Sequence, residues 1–262
     1  MILLSSLITQ LGFGQDNNNL KDANILNTLS ISPGLDYISL KDRTFSPIVF
    51  AGTAPKISLG FRQNRRNEKL WGSSISASVG EINHKSEYFE SIYVSAQFTF
   101  NYLSLIKSIG KSKVYLGGQF RSELNILNYD DFYSGSWYTA QQLEPILIYK
   151  FIASGKQSIT GQFSFPIIGL VGRPGYAGVD EFVVVNSLNI PKILYSKTKI
   201  QSLNKVINPT FKIEYSYNLP KIRFTLAANY SYLQVNSIRK YYRNELGFHL
   251  GFHFKFGKKN EN

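Results

Sequence analysis

The segment 246–256, near the end of the chain, alternates large apolar residues with small or polar ones. Its even positions are Leu246, Phe248, Leu250, Phe252, Phe254 and Phe256, and its odd positions are Gly247, His249, Gly251, His253 and Lys255. Because successive side chains of a β-strand point to opposite faces, this strand has one apolar face and one polar face. Such a strand suits a barrel whose outer wall meets lipid and whose lumen is polar.

Other segments repeat this alternation along the chain. The clear ones span 92–102, 114–126, 211–219 and 222–232, and weaker ones span 29–37, 57–61, 71–79, 143–151 and 159–167. Short and long connections alternate between them, which is typical of outer-membrane barrels with short periplasmic turns and longer external loops. The pattern predicts an all-β fold: a closed, antiparallel, up-and-down transmembrane β-barrel of about ten strands.

Composition excludes several other classes of protein. No run approaches the ~18 consecutive apolar residues that a membrane helix needs. The 262 residues include no cysteine, which rules out disulfides, cysteine-ligated metals and thiol catalysis. The net charge of +12 points to anionic partners. Since no nucleic-acid-binding motif accompanies it, we expect outer-membrane lipids and lipopolysaccharide as partners, and no nucleic acid.

The N-terminus resembles a secretory signal. Residues 2–11 are mostly apolar, and Gly12-Phe13-Gly14 supplies small residues before the polar Gln15-Asp16. The alternative interpretation is a disordered tail, because the first lysine is only Lys21. We therefore predict a signal peptide at 1–14 and a periplasmic segment at 15–25. The barrel follows at 26–257, with a long external loop at 170–206, and a periplasmic tail at 258–262.

The last strand also resembles a known assembly signal. His249, Gly251, Phe254 and Phe256 occupy the polar, glycine and paired aromatic positions of the C-terminal signal of bacterial outer-membrane β-barrel proteins. The chain continues for six residues beyond Phe256, where many members of that class stop. The resemblance implies recognition by the barrel-assembly machinery in a Gram-negative outer membrane. With ten strands both termini are expected in the periplasm. The Asn-, Lys- and Tyr-rich composition is similar to that of Bacteroidota outer-membrane proteins.

The face predicted to line the lumen carries charges of both signs. We expect a lumen network of Arg62, Arg121, Glu123, Glu144, Lys212, Glu214, Arg223, Glu245, His249 and His253. A barrel of this size is only slightly wider than the eight-stranded case that side chains fill. The favoured interpretation is a lumen plugged by paired charges, which suits an accessory or structural subunit of a membrane complex or a surface-interaction protein. The alternative is a small porin or transport channel.

Two further alternatives involve chemistry or a ligand. A protease- or lipase-type outer-membrane hydrolase would need a site at the outer rim. The available rim groups are His84, Glu87, Glu90, Asp130, Asp131, Asp180 and Glu181. The spacing of these groups defines no catalytic site, so we predict a protein that is not an enzyme and has no cofactor or metal. A soluble, secreted barrel with aromatic residues inside is the remaining hypothesis.

Overall fold

The computed structural model describes residues 26–43, 48–65, 68–84, 91–129, 135–174, 189–195, 198–236 and 240–257. Ten antiparallel strands form a closed ring, as the alternation predicts. The ring strands are β1 (Leu26–Asp42), β2 (Phe50–Asn64), β3 (Lys69–Asn83), β4 (Ser91–Ile109), β5 (Ser112–Tyr129), β6 (Gly135–Ile152), β7 (Gln157–Ser164), β11 (Thr210–Asn218), β12 (Ile222–Val235) and β13 (Tyr241–Phe256). Each pairs with its neighbour along the chain, β7 pairs with β11, and β13 pairs with β1 to close the ring.

Three short strands and one short helix complete the described elements. They are β8 (Ile168–Gly172), α1 (Ile190–Tyr195), β9 (Lys199–Ser202) and β10 (Val206–Ile207). Strand β8 pairs with β6 and extends the wall beyond the end of β7, and β9 pairs with β8. Strand β10 pairs with β12 in the same register as β11, which follows it along β12. The connection predicted at 170–206 is therefore shorter than expected, because backbone pairing reaches into it from both sides.

The two ends of the barrel differ in their connections. One end holds the first and last strand ends, with Asn27 opposite Phe256, and the turns at 65–68, 110–111, 153–156 and 219–221. We call it the turn end. The other end, the loop end, holds the strand ends that border residues 43–49, 84–90, 130–134, 173–198 and 236–240. The predicted signal peptide (1–14), the segment 15–25 and the tail 258–262 lie outside the described residues.

The outer wall is apolar and rich in exposed aromatic side chains. On β13, Phe248 is 56% exposed and Phe254 46% exposed, while the alternate residues His249, Gly251 and His253 face inward. At the turn end, the Trp71 ring lies 5.2 Å from Phe61 and 6.2 Å from Phe100, measured between ring centroids. Trp137 lies near the opposite end of the wall, as expected of two aromatic girdles. No helix among the described residues is long and apolar enough to cross a membrane.

A large part of the interior near the loop end is apolar, which differs from the polar lumen that the alternation predicts. Fourteen buried side chains form one cluster there: Ile38, Leu40, Phe50, Ala54, Ile82, Tyr93, Leu127, Tyr138, Ala140, Val171, Val206, Leu233, Val235 and Tyr241. They belong to the loop-end portions of their strands. Burial of apolar surface stabilises this layer at about 25 cal/mol per Å². A smaller buried cluster of Leu103, Tyr115, Ile146 and Ile148 lies toward the turn end. The barrel therefore has its larger apolar core at the loop end.

Candidate functional site

The lumen is the candidate functional site, and an ion pair crosses it. Arg243 on β13 pairs with Glu123 on β5, and both side chains are at least 96% buried. Because β5 and β13 occupy opposite positions in the ring of ten, the two side chains meet across the full width of the barrel. Arg243 also lies 3.8 Å from Glu245 and donates a 3.5 Å hydrogen bond to the Tyr93 hydroxyl. Sequence reasoning found Glu123 and missed Arg243, which precedes the segment with clear alternation.

A second set of cross-lumen contacts lies toward the loop end. The rings of Tyr138 and Tyr241 stack with centroids 5.5 Å apart and planes 8° from parallel. The Ser136 hydroxyl of β6 donates a 2.5 Å hydrogen bond to Asp42 at the end of β1, again across the ring. Arg173 pairs with the same carboxylate at 2.5 Å and lies 4.9 Å from the centre of the Tyr241 ring. These contacts bring opposite walls together.

Nearer the turn end than these residues, Arg121 of β5 and Glu144 of β6 form an ion pair on adjacent strands. Their ion pair measures 2.8 Å, and both side chains are nearly inaccessible to solvent. Arg121 also donates to the Thr210 hydroxyl at 2.9 Å, while Gln119 donates to the Glu144 carboxylate at 3.0 Å. Removing one partner of such a buried pair costs about 3–5 kcal/mol, because the other charge is left uncompensated.

A third group joins β1, β2 and β13. The Lys56 ammonium lies 2.8 Å from Asp36 and 3.1 Å from Glu245. His249 lies 3.4 Å from Asp36 and 2.5 Å from the Asn229 amide oxygen. Of this group, sequence reasoning named Glu245 and His249 only. Asp36 falls in a weakly alternating segment, and Lys56 follows a stretch that was predicted to be a loop.

The turn-end half of the lumen is hollow. An inner cavity of about 260 Å³ and an outer cavity of about 200 Å³ share five lining residues. The shared residues are Arg62, Gln162, Lys212, Glu214 and Arg223. Within this region Lys212 pairs with Glu214 at 2.9 Å. The residues Leu26, Asn64 and Asn218, at the turn-end limits of their strands, line the outer cavity, so the hollow opens at the turn end.

Both lumen histidines are occupied by neighbouring polar groups. His253 contacts Arg223 at 3.0 Å through Nδ1 and Thr225 at 2.9 Å through Nε2. Within the described residues, no group of three or more His, Asp or Glu side chains could hold a metal ion.

Of the predicted rim groups only His84 is described, and its ring packs edge-on against Phe50, with the ring centroids 6.4 Å apart. Glu87, Glu90, Asp130, Asp131, Asp180 and Glu181 lie outside the described residues.

The residues of the predicted assembly signal lie on the strand that closes the barrel. Phe254 and Phe256 point outward and are about half exposed, while His249 and Gly251 face the lumen. A Cβ atom at Gly251 would collide with the Thr225 hydroxyl and would also approach the His253 ring. Any larger residue at this position would therefore force the Thr225 and His253 side chains to shift.

Comparison with known proteins identifies the fold. No family model and no curated protein sequence matches the chain. Among solved structures, it is similar to the outer membrane protease OmpT from Escherichia coli, with a TM-score of 0.56 and 9% identity, covering 92% of this chain and 99% of that one. It also matches the translocator domain of autotransporter NalP from Neisseria meningitidis, with a TM-score of 0.47 and 8% identity, covering 97% and 94%. The fold is that of a bacterial outer-membrane β-barrel.

Proposed function

We propose that this protein is a non-enzymatic outer-membrane barrel with a closed lumen. It acts as an accessory or structural subunit of a membrane complex, or as a surface-interaction protein. Both termini lie in the periplasm, so the turn end faces the periplasm and the loop end faces outward. The observation that carries the proposal is the Arg243–Glu123 pair, which joins opposite walls of the barrel.

The closed lumen follows from two adjoining layers of contact. One is the cross-lumen ion pair, and the other is the apolar cluster at the loop end, which includes the stacked Tyr138 and Tyr241 rings. A continuous aqueous path needs both layers to open. Work at the membrane therefore falls to the outer wall and to the loops rather than to the lumen.

Recording in planar bilayers tests the closed lumen. We expect the purified wild-type barrel to give no stable conductance. A double variant, Arg243→Ser with Glu123→Ser, should open intermittently, because only the apolar cluster at the loop end then closes the lumen. The matched control removes Lys212 and Glu214 in the same way, since that pair lies on one strand and crosses nothing. A large, stable wild-type conductance would overturn the proposal.

The small porin or transport channel is the second candidate, and the cavities in the turn-end half favour it. Both functions use the same barrel and differ in whether the loop-end layer opens. A wild-type channel that closes after Leu40→Trp would support transport, since Leu40 is buried in that layer.

A partner is sought by purification from native membranes. The full chain is tagged beyond residue 257, solubilised in mild detergent and recovered after crosslinking in intact cells. A stoichiometric membrane protein that copurifies before and after crosslinking supports a subunit role. Recovery of the barrel alone in both cases supports a surface-interaction role.

An activity assay tests the non-enzymatic assignment. Hydrolysis of peptides or lipids by the purified barrel, lost in His84→Ala, would contradict it.

A further inference from the structure

The outer cavity concentrates positive charge at the turn end of the barrel. Its walls carry five cationic side chains and one carboxylate: Arg62, Lys150, Lys212, Arg223, Lys255 and Glu214. The single carboxylate is already engaged by Lys212 at 2.9 Å. A cleft lined by one sign of charge with low-dielectric walls focuses the field and raises the local concentration of counter-ions.

Several of these cations lack a protein partner. Among the described residues, the side chains of Arg62 and Lys150 make no hydrogen bond or ion pair, although both line the cavity. Arg223 uses one guanidinium nitrogen to contact His253, while its Nε is buried without a hydrogen-bond partner among the described residues. Arg62 is exposed, and Lys150 and Arg223 are half-buried in the cavity wall, so all three can reach an anion that enters the hollow.

The inner cavity adds a wall of a different character. It presents small hydroxyl side chains from β1 to β4: Ser30, Ser32, Ser58, Ser74, Ser76 and Thr99. Each hydroxyl offers one donor and two acceptor sites, which suits the hydroxyl groups of a ligand. The charged residues shared by the two cavities lie on β2, β11 and β12. The outer cavity is also lined by the mainly apolar side chains of Leu26, Leu70, Leu103, Tyr115 and Ile148. The hollow therefore combines a mouth of cationic and apolar side chains with a hydroxyl-lined interior.

We propose that this hollow is a blind binding site for a small, hydroxyl-bearing phosphate ester that enters at the turn end. Arg62, Lys150 and Arg223 contact the phosphate group, and the serine-rich wall contacts the hydroxyl groups. Guanidinium and ammonium groups form short, charge-assisted hydrogen bonds with phosphate oxygens. The Arg121–Glu144 pair and the residues above it close the far end, so the ligand does not pass through.

The test is calorimetric titration of the full chain, refolded in an uncharged maltoside detergent, with glycerol phosphate as the probe. We expect saturable binding that weakens as salt is added, and no binding of neutral glycerol. Arg62→Gln and Lys150→Gln should each weaken binding by about tenfold, as expected for loss of one charge-assisted contact. Arg62→Lys, which keeps the charge but loses the planar guanidinium group, should weaken binding less than Arg62→Gln.

Lys69→Gln is the matched control, since Lys69 lies at the same end of the barrel on the outer wall. It should bind like the wild type. Absence of wild-type binding up to about 10 mM probe would overturn the proposal, as would equal weakening in Lys69→Gln. Competition by phosphatidic acid in the micelles, with none by inorganic phosphate, would assign the mouth to a lipid headgroup and overturn the soluble ligand. Failure here leaves the closed lumen untouched, because conductance is measured separately.

Discussion

Arg243 and Glu123 form an ion pair although their strands, β13 and β5, lie on opposite sides of the barrel. The pair fixes the distance between two walls that share no backbone hydrogen bond. The Tyr93 hydroxyl, 3.5 Å from Arg243, and the Asn125 amide, 2.8 Å from Glu123, extend this contact to β4 and along β5. The Arg243–Glu123 pair and its hydrogen-bonded neighbours therefore hold the two opposite walls at a fixed distance.

Loss of the Arg243–Glu123 pair should lower the free energy of unfolding of the barrel. Arg243→Ala leaves Glu123 buried and unpaired, so we expect about 3–5 kcal/mol of destabilisation in urea unfolding of the micelle-bound barrel. The double variant with Glu123→Gln should recover part of that loss, because the uncompensated charge is gone. Lys69→Ala, on the outer wall, should stay within about 0.5 kcal/mol of wild type. A double variant no more stable than Arg243→Ala would contradict the pairing.

Strand β13 should tolerate a side chain at Gly251 poorly. Gly251→Ala places a Cβ against the Thr225 hydroxyl, and we expect a clear drop in the fraction of protein that assembles into the outer membrane. Gly118→Ala is the matched control, since nothing lies within 4 Å of a Cβ built there. The readout is the ratio of folded to unfolded bands on unheated gels. Equal assembly of the two variants would argue against a packing requirement at the closing strand.

A charged residue on the outer wall should destabilise the barrel more at the middle of the membrane than near its surface. Phe248 lies at the middle of β13 and Phe256 at its turn-end limit. For an arginine at the bilayer midplane we expect about 2–4 kcal/mol of destabilisation, and near the interface about 0–1 kcal/mol. Unfolding of Phe248→Arg and Phe256→Arg in lipid vesicles measures both. Equal costs at the two depths would contradict the assignment of Phe248 to the middle of the membrane.

The orientation of the barrel is accessible to labelling because the chain has no cysteine. His84→Cys lies at the loop end and Lys111→Cys in the turn between β4 and β5. In intact cells, a membrane-impermeant maleimide should modify position 84 at once. Position 111 should react only after the outer membrane is permeabilised. The reverse order would place the termini outside the cell and invert the proposed topology.

How far the sequence predicts this structure depends on which end of the barrel is considered. Alternation identifies the wall wherever the lumen is polar, as on β13 from Leu246 onward. Near the loop end both faces are apolar, so Tyr37, Ile38 and Leu40 show no alternation, and the strand looks as if it ends early. A search for alternating apolar and polar residues assumes a polar lumen. It therefore misses the apolar core, which fills a large part of the interior.

The partners of the lumen charges were harder to predict than the charges themselves. Glu123 was expected to face inward, yet Arg243, its partner on the far wall, is 120 residues away and lies outside the alternating segment. Lys56 follows Pro55, where a loop was expected, but β2 already begins at Phe50. Such pairs depend on ring closure and strand register, which place distant residues opposite each other. A single sequence carries no direct signal of either.

An outer-membrane barrel requires that the aromatic face of the strands meets lipid and that the polar face is enclosed. Phe98 and Gln97, adjacent on β4, test this most directly, because Phe98 is 41% exposed on the outer wall and Gln97 lines the inner cavity. Each is replaced by a single spin-labelled cysteine in the barrel reconstituted in lipid vesicles. We predict that the label at 98 collides with dissolved oxygen and is shielded from a water-soluble nickel complex, and that the label at 97 is shielded from oxygen. A label at 97 in contact with acyl chains, with 98 shielded from them, would contradict the account.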